Sequence, residues 1–90
     1  MKRQKINMQE QMVMFLGAIY KSERGLKPYD KLDIDTLILS PSFYKYMVKK
    51  NLINVGQMKF RKYPIELDYD EYADIWGMTG KTNDSKEETI

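Results

Sequence analysis

The clearest periodic pattern of apolar and polar positions lies near the N-terminus. Apolar residues recur three, four, seven and eight positions apart, which is typical of one apolar stripe on an amphipathic helix. Asn7 is a good N-cap residue, Glu10 adds a capping-box-like partner three positions later, and Gly25 suits the left-handed position after a helix. The pattern therefore predicts a helix over residues 8–24. Its inward stripe would consist of Met8, Met12, Phe15, Leu16, Ile19 and Tyr20.

The segment "LDIDTLIL", residues 32–39, fits two structures. Its alternation of apolar and polar residues predicts a strand, whereas Asp33 could cap a short helix through Ile34 and Ile38. We favour a short strand-like entry followed by a single helical turn. In either case the run Leu37-Ile38-Leu39 belongs to the core.

Ser40-Pro41 marks the start of a second helix, because serine is a favoured N-cap and proline fits the first helical position. This helix is expected to extend to about Asn51, with Phe43 and Met47 on its inward face. Tyr44, Lys45 and Lys49 would then share more of its outward side.

A β-hairpin is expected next. "LINV", residues 52–55, predicts the first strand and "GQ" predicts the turn. In "MKFRKYPIEL", which follows, apolar and polar residues alternate, and this predicts the second strand. Met58 and Phe60 would face the core. The opposite, cationic face would carry Lys59, Arg61 and Tyr63.

The end of the chain predicts a short helix and a tail. In "DYDEYADIWGM", residues 68–78, Asp68 or Asp70 could cap a closing helix whose inward side carries Ile75 and Trp76, together with Tyr72. Residues 79–90 hold one apolar residue and are expected to be a disordered tail. Residues 1–78 would form one small domain.

The order of these elements resembles the winged helix-turn-helix superfamily. The resemblance lies in "LILSPSFYKYMVKKNLINVGQMKFRKY", Leu37 to Tyr63. It implies a winged-helix-like α+β domain of helices plus a two-stranded β-hairpin, with the helix before the wing in the DNA major groove. Carried over to this sequence, the helix contacts would be Ser42, Tyr44, Lys45 and Lys49. The wing contacts would be Lys59, Arg61 and Lys62.

The charge distribution points the same way independently of the resemblance. The net charge is only +2, yet residues 40–67 hold six bases and a single acid, Glu66. Several cations on one surface are what phosphate binding requires, and tyrosines between them can stack on bases or bond to phosphates. The acidic run Glu66 to Asp74 could instead pair with this block and cancel it. This basic block adds Lys50 and Tyr63 to the candidate binding residues given above. Tyr46 also lies between its lysines.

Composition narrows the class of function. There is no Cys and no His, no nucleophile–base pair and no Gly-rich phosphate loop, so we expect a protein that is not an enzyme and needs no cofactor or metal. No apolar run is long enough to span a membrane, and the interrupted N-terminal stretch predicts a cytoplasmic protein.

The leading hypothesis is a small DNA-binding protein with a regulatory role, such as transcription regulation, or an accessory one. It could dimerise through helix 8–24, and its short basic arm, Lys2, Arg3 and Lys5, could follow a groove of DNA. The alternative is a protein-interaction module that docks through its aromatic, charge-segregated surface.

Overall fold

The computed structural model describes residues 7–70 and 73–82. It is a small α+β domain in which two helices cover one face of a four-stranded mixed sheet. The elements in chain order are α1 (Met8–Arg24), β1 (Leu32–Leu39), α2 (Pro41–Lys49), β2 (Lys59–Phe60), β3 (Tyr63–Leu67) and β4 (Trp76–Thr82).

Both helices begin and end where their capping residues predict. The Asn7 side chain accepts a hydrogen bond from the Glu10 N–H at 3.1 Å, and Gly25 ends α1 in the left-handed conformation. Ser40 caps α2 by accepting from the Phe43 N–H at 3.2 Å. Asn51 follows α2 with a φ of 64°. The two predicted helices are therefore confirmed.

The sheet order is β2-β3-β1-β4. β1 and β3 are parallel, and α2 forms the crossover between them; β4 pairs with β1 antiparallel, and β2 pairs with β3 antiparallel. β1 pairs with β4 from Leu32 to Leu39, and with β3 from Leu37 to Leu39. Pairing with β4 along its length explains why residues 32–39 are extended, and the prediction of a helical turn within them is wrong.

The core lies between the helices and the sheet. The Phe15 ring on α1 meets the rings of Phe43 on α2 at 5.2 Å and of Trp76 on β4 at 5.4 Å, both edge to face. Leu37 and Leu39 of β1 are fully buried in the same cluster, as predicted. Ile38, which was also expected in the core, is half-buried outside this cluster, because neighbouring strand residues point to opposite faces of the sheet. Edge-to-face contacts add to the burial of aromatic surface, so Phe15 joins three elements of the fold.

Two further predictions about the second half of the chain are wrong. Residues 52–55 form turns and bends rather than a strand, and the antiparallel pair β2–β3 is joined at Arg61 and Lys62 instead of at Gly56. Arg61 adopts the positive φ, 57°, that this tight connection requires. The sheet consequently has four strands in place of a two-stranded hairpin.

The described residues of the predicted closing helix, 68–70 and 73–78, are not helical. Trp76 begins a strand. Before it, the Ala73 N–H donates a hydrogen bond to the Asp70 carbonyl. β4 extends to Thr82, so residues 79–82 are strand where a tail was expected. Glu71, Tyr72, residues 83–90 and the basic arm of residues 2–5 lie outside the described residues.

Candidate functional site

The solvent face of α2 carries three of the predicted binding residues. Phe43 and Met47 point inward and are fully buried, and the helical repeat then directs Ser42, Lys45 and Lys49 away from the core. All three are exposed. Within the described residues, Lys45 and Lys49 form no salt bridge. Helix α2 therefore presents two cations, one turn apart, directly to solvent.

The C-terminal end of α2 extends this cationic face. Lys50 is exposed, and its ammonium lies 5.5 Å from the centre of the Tyr46 ring. The Asn51 N–H donates to the Val48 carbonyl and the Leu52 N–H to the Met47 carbonyl, which is the hydrogen-bond pattern of a Schellman cap. This cap fixes where Lys50 leaves the helix.

Tyr44 has a different role from the one predicted for it. Its hydroxyl donates to the Gln57 carbonyl at 2.9 Å, while its ring is half-buried against the core. Gln57 in turn accepts from the Asn54 N–H and donates to the Lys59 carbonyl at 2.7 Å. The hydroxyl of Tyr44 thus fastens the loop between α2 and β2. Gln57 was not predicted, because a loop glutamine carries no sequence signal for such a contact.

An apolar groove runs along the side of α2. Its volume is about 410 Å³. Two of its lining residues are strongly exposed, Val55 at 85% and Tyr69 at 76%. Monomeric surfaces rarely gather such side chains around a concave site unless the site binds something. The groove is lined by Pro41, Tyr44, Lys45, Val48, Val55, Leu67 and Tyr69.

Tyr69 and Val55 were missed by the sequence reasoning. Tyr69 lies between two aspartates, which favoured reading the segment as an exposed helix start. Asp68 in fact accepts a hydrogen bond on its side chain from the Asp70 N–H and donates its own N–H to the Leu39 carbonyl. This turn holds Tyr69 beside α2.

The cations of the β2–β3 segment lie elsewhere. Phe60 packs on Phe15 in the core, and neighbouring strand residues point to opposite faces of a sheet. Lys59 is accordingly exposed on the face away from the helices. Arg61 forms a salt bridge of 3.2 Å with Glu23 of α1, and Lys62 lies 5.6 Å from the Tyr63 ring.

Tyr63 was predicted on the cationic face, and that orientation is wrong. It is only 5% exposed, and its hydroxyl donates to Glu23 at 2.7 Å. Burial and the hydrogen bond to Glu23 raise the pKa of Tyr63 to about 12. Glu23 therefore joins α1 to both Arg61 and Tyr63. The predicted block divides into an α2 group, a turn group around Glu23, and Lys59 on the opposite face.

Comparisons with protein-family models, curated proteins and solved structures give no match to this chain. In the described part of the chain, no helix is long and apolar enough to cross a membrane. The same residues contain no group of three or more acidic side chains placed to hold a metal ion. The α2 face and the groove beside it are therefore the features from which a function is proposed.

Proposed function

We propose that this domain binds nucleic acid through α2 and the adjoining groove. The observation that carries the proposal is the arrangement of Lys45 and Lys49 on one exposed helix face, without salt bridges to described acids, beside a groove whose rim is an exposed tyrosine. Lysines release counterions when they neutralise phosphates. An exposed aromatic ring beside them offers a stacking platform for a base.

The geometry favours an unpaired strand over a duplex. Tyr69 is 76% exposed at the groove, and a base can reach such a ring only when it is not paired within a helix. In this proposal Ser42 and Lys50 add polar and cationic contacts at the two ends of α2. In this proposal, as in the winged-helix-like interpretation, α2 is the element that faces nucleic acid.

The first test is fluorescence anisotropy with single-stranded DNA, duplex DNA and RNA at two ionic strengths. Two or three lysine contacts give a slope of log affinity against log salt of roughly −1.4 to −2.1 for a single strand and −1.8 to −2.7 for a duplex. Single-stranded probes should bind more tightly than the duplex of the same length. Absence of binding to every probe at low salt would refute the proposal.

Matched variants then locate the surface. The double variant Lys45→Gln, Lys49→Gln should weaken binding. It should also reduce the slope of log affinity against log salt by about 1.4 for a single strand, because two phosphate contacts are lost. The control pair Lys59→Gln with Lys62→Gln removes the same charge from outside the α2 face and should have little effect. If the control pair weakens binding as much, the α2 face is not the site.

The contribution of the groove is tested separately at Tyr69. Replacement by alanine should weaken single-strand binding by about 1–3 kcal/mol, the usual range for one base stacked on an aromatic ring. Tyr69→Phe keeps the ring and should preserve the affinity. Equal losses in the two variants would show that stacking on Tyr69 is not used.

A second candidate function is protein interaction, and the groove itself favours it. Asp68 and Asp70 flank Tyr69 in the chain, and carboxylates near a groove oppose phosphate. The occupant would be a peptide segment that inserts one apolar or aromatic side chain between Val55 and Tyr69. Peptides selected from a displayed library should then lose binding to Val55→Asp and keep it with Leu26→Asp, an exposed control site. If the selected peptides bind Val55→Asp as tightly as the wild type, this groove is not their binding site.

A further inference from the structure

The outward face of α1 carries exposed apolar side chains between its charged ones. Its inward face is formed by Met12, Phe15 and Ile19, which are buried. On the opposite side Val13 is 64% exposed and Met14 is 54% exposed. A helix packed on one side normally carries polar residues on the other. The outward face of α1 therefore has the character of a contact surface.

A glycine lies at the centre of this face. A Cβ at Gly17 would meet no atom within 4 Å, so nothing within the described fold requires glycine there. Glycine in a helix interior costs about 0.5–1 kcal/mol relative to alanine. Glycine between exposed apolar side chains allows another backbone to approach closely.

The residues around Gly17 are arranged symmetrically. The exposed face holds residues three, four and seven positions before Gly17 and residues three, four and seven positions after it. When two copies of one helix pack antiparallel on a two-fold axis, a residue at a given distance before the axis meets the residue at the same distance after it. The face is therefore suited to pair with itself.

Each of the resulting pairs is chemically compatible. Three positions from Gly17, Met14 meets the half-exposed Tyr20 ring of the second copy, and a thioether beside an aromatic ring is favourable. Seven positions away, Glu10 meets Arg24, which is a pair of opposite charges. Every such contact occurs twice.

The remaining pair is also compatible. Val13, four positions before Gly17, meets Lys21, whose aliphatic stem can cover apolar surface while its ammonium stays in water. The acid at the start of α1 and the bases in its last turn favour the antiparallel arrangement over the parallel one.

We propose that α1 packs antiparallel against α1 of a second copy of this chain, with Gly17 on the two-fold axis. A helix of 17 residues is about 25 Å long and with its side chains about 10 Å wide. A strip of this size is smaller than a standard interface, which buries roughly 800 Å² per partner. The dimer should therefore be weak and should form only at high protein concentration.

A charge exchange tests the pairing of Glu10 with Arg24. Sedimentation equilibrium of the full chain should show that Glu10→Arg alone and Arg24→Glu alone each weaken the dimer roughly tenfold, because each places like charges together twice. Mixing these two variants should restore dimer formation, since both contacts in the mixed dimer again join opposite charges. Circular dichroism of each variant at 1 μM verifies the fold.

A second variant separates the dimer from helix stability. Gly17→Glu adds a good helix former that can pair with Lys21 one turn later, so the thermal midpoint of the monomer should be maintained or rise by a few degrees. The same change places two carboxylates at the two-fold axis and should abolish the dimer. A monomer at all concentrations would overturn the proposal. So would a dimer that Gly17→Glu leaves intact, for example one formed through the edge of β4.

Discussion

The hydrogen bond between Tyr63 and Glu23 gives a quantitative test of how α1 packs against β3. The Tyr63 hydroxyl donates to Glu23 at 2.7 Å, and Tyr63→Phe removes this bond while keeping the buried ring. Hydrogen bonds to charged groups contribute about 1.5–3 kcal/mol. The Glu23 side chain is 33% exposed and keeps Arg61 as a partner, so water recovers part of the loss. We expect the variant to lower the free energy of unfolding by about 1 kcal/mol at pH 7.

The effect should reverse in alkali. The pKa of Tyr63 is raised from 10.0 to about 12 in the folded protein, so folding favours the neutral hydroxyl. The stability contributed by the neutral hydroxyl is complete below pH 10 and is lost as the pH rises through 12. Linkage gives a loss of about 1.4 kcal/mol at pH 11. The wild type should therefore be the more stable protein at pH 7 and the less stable one at pH 11, with equal stability at about pH 10.7.

Urea unfolding of both proteins across this pH range measures the difference. All other residues are common to both proteins, so their contributions to the difference cancel. Tyr69→Phe is the matched control, because the Tyr69 side chain is 76% exposed and removing its hydroxyl should leave the stability unchanged. A stability difference between wild type and Tyr63→Phe that stays constant from pH 7 to pH 11 would refute the reasoning.

Two further substitutions test the local geometry by thermal or urea unfolding. A Cβ at Gly80 would overlap the backbone carbonyl of Asp33, so Gly80→Ala should destabilise the protein by about 1–3 kcal/mol. Gly77→Ala in the same strand, where a Cβ meets nothing within 4 Å, should change stability by less than about 0.5 kcal/mol. Ser40→Ala should lose about 1 kcal/mol by removing the N-cap of α2. Ser42→Ala removes only an exposed hydrogen bond of 3.3 Å to the Ser40 hydroxyl and should change stability by less than about 0.5 kcal/mol. Equal effects within either pair would contradict these assignments.

The helices could be predicted from the sequence because their signals are local. Asn7 and Gly25 define the ends of α1, and Ser40 with Asn51 defines those of α2, through bonds that reach only a few residues along the chain. Such capping bonds form in much the same way whatever the rest of the protein does. The apolar stripe of α1 then indicated its buried side correctly for Met12, Phe15 and Ile19, whereas Tyr20, which was assigned to the same stripe, is 50% exposed.

The strands depend on partners far away in the chain. Leu37 pairs with Ile65 on one side and with Met78 on the other, and neither neighbour can be read from residues 32–39. In β4 the segment "WGMTGKT" contains Trp and Thr, which are favoured in strands, but also two glycines, which are depleted in them, so its strand signal is weak. Pairing with β1 and the close approach at Gly80 make this segment a strand. The prediction of a helix and tail there failed for this reason.

The same dependence on topology decides what the basic run can do. Six cations between residues 40 and 67 suggest one surface when they are read along the chain, but the crossover from β1 through α2 to β3 distributes them. Strand alternation turns Lys59 away from the buried Phe60, and Glu23 holds Arg61 against α1. Only the α2 cations remain beside an exposed aromatic groove. If nucleic acid binds this domain, substitution of Lys45 or Lys49 should therefore lower the binding affinity, whereas substitution of Lys59 should leave it unchanged. All three lysines nevertheless belong to one basic stretch of sequence.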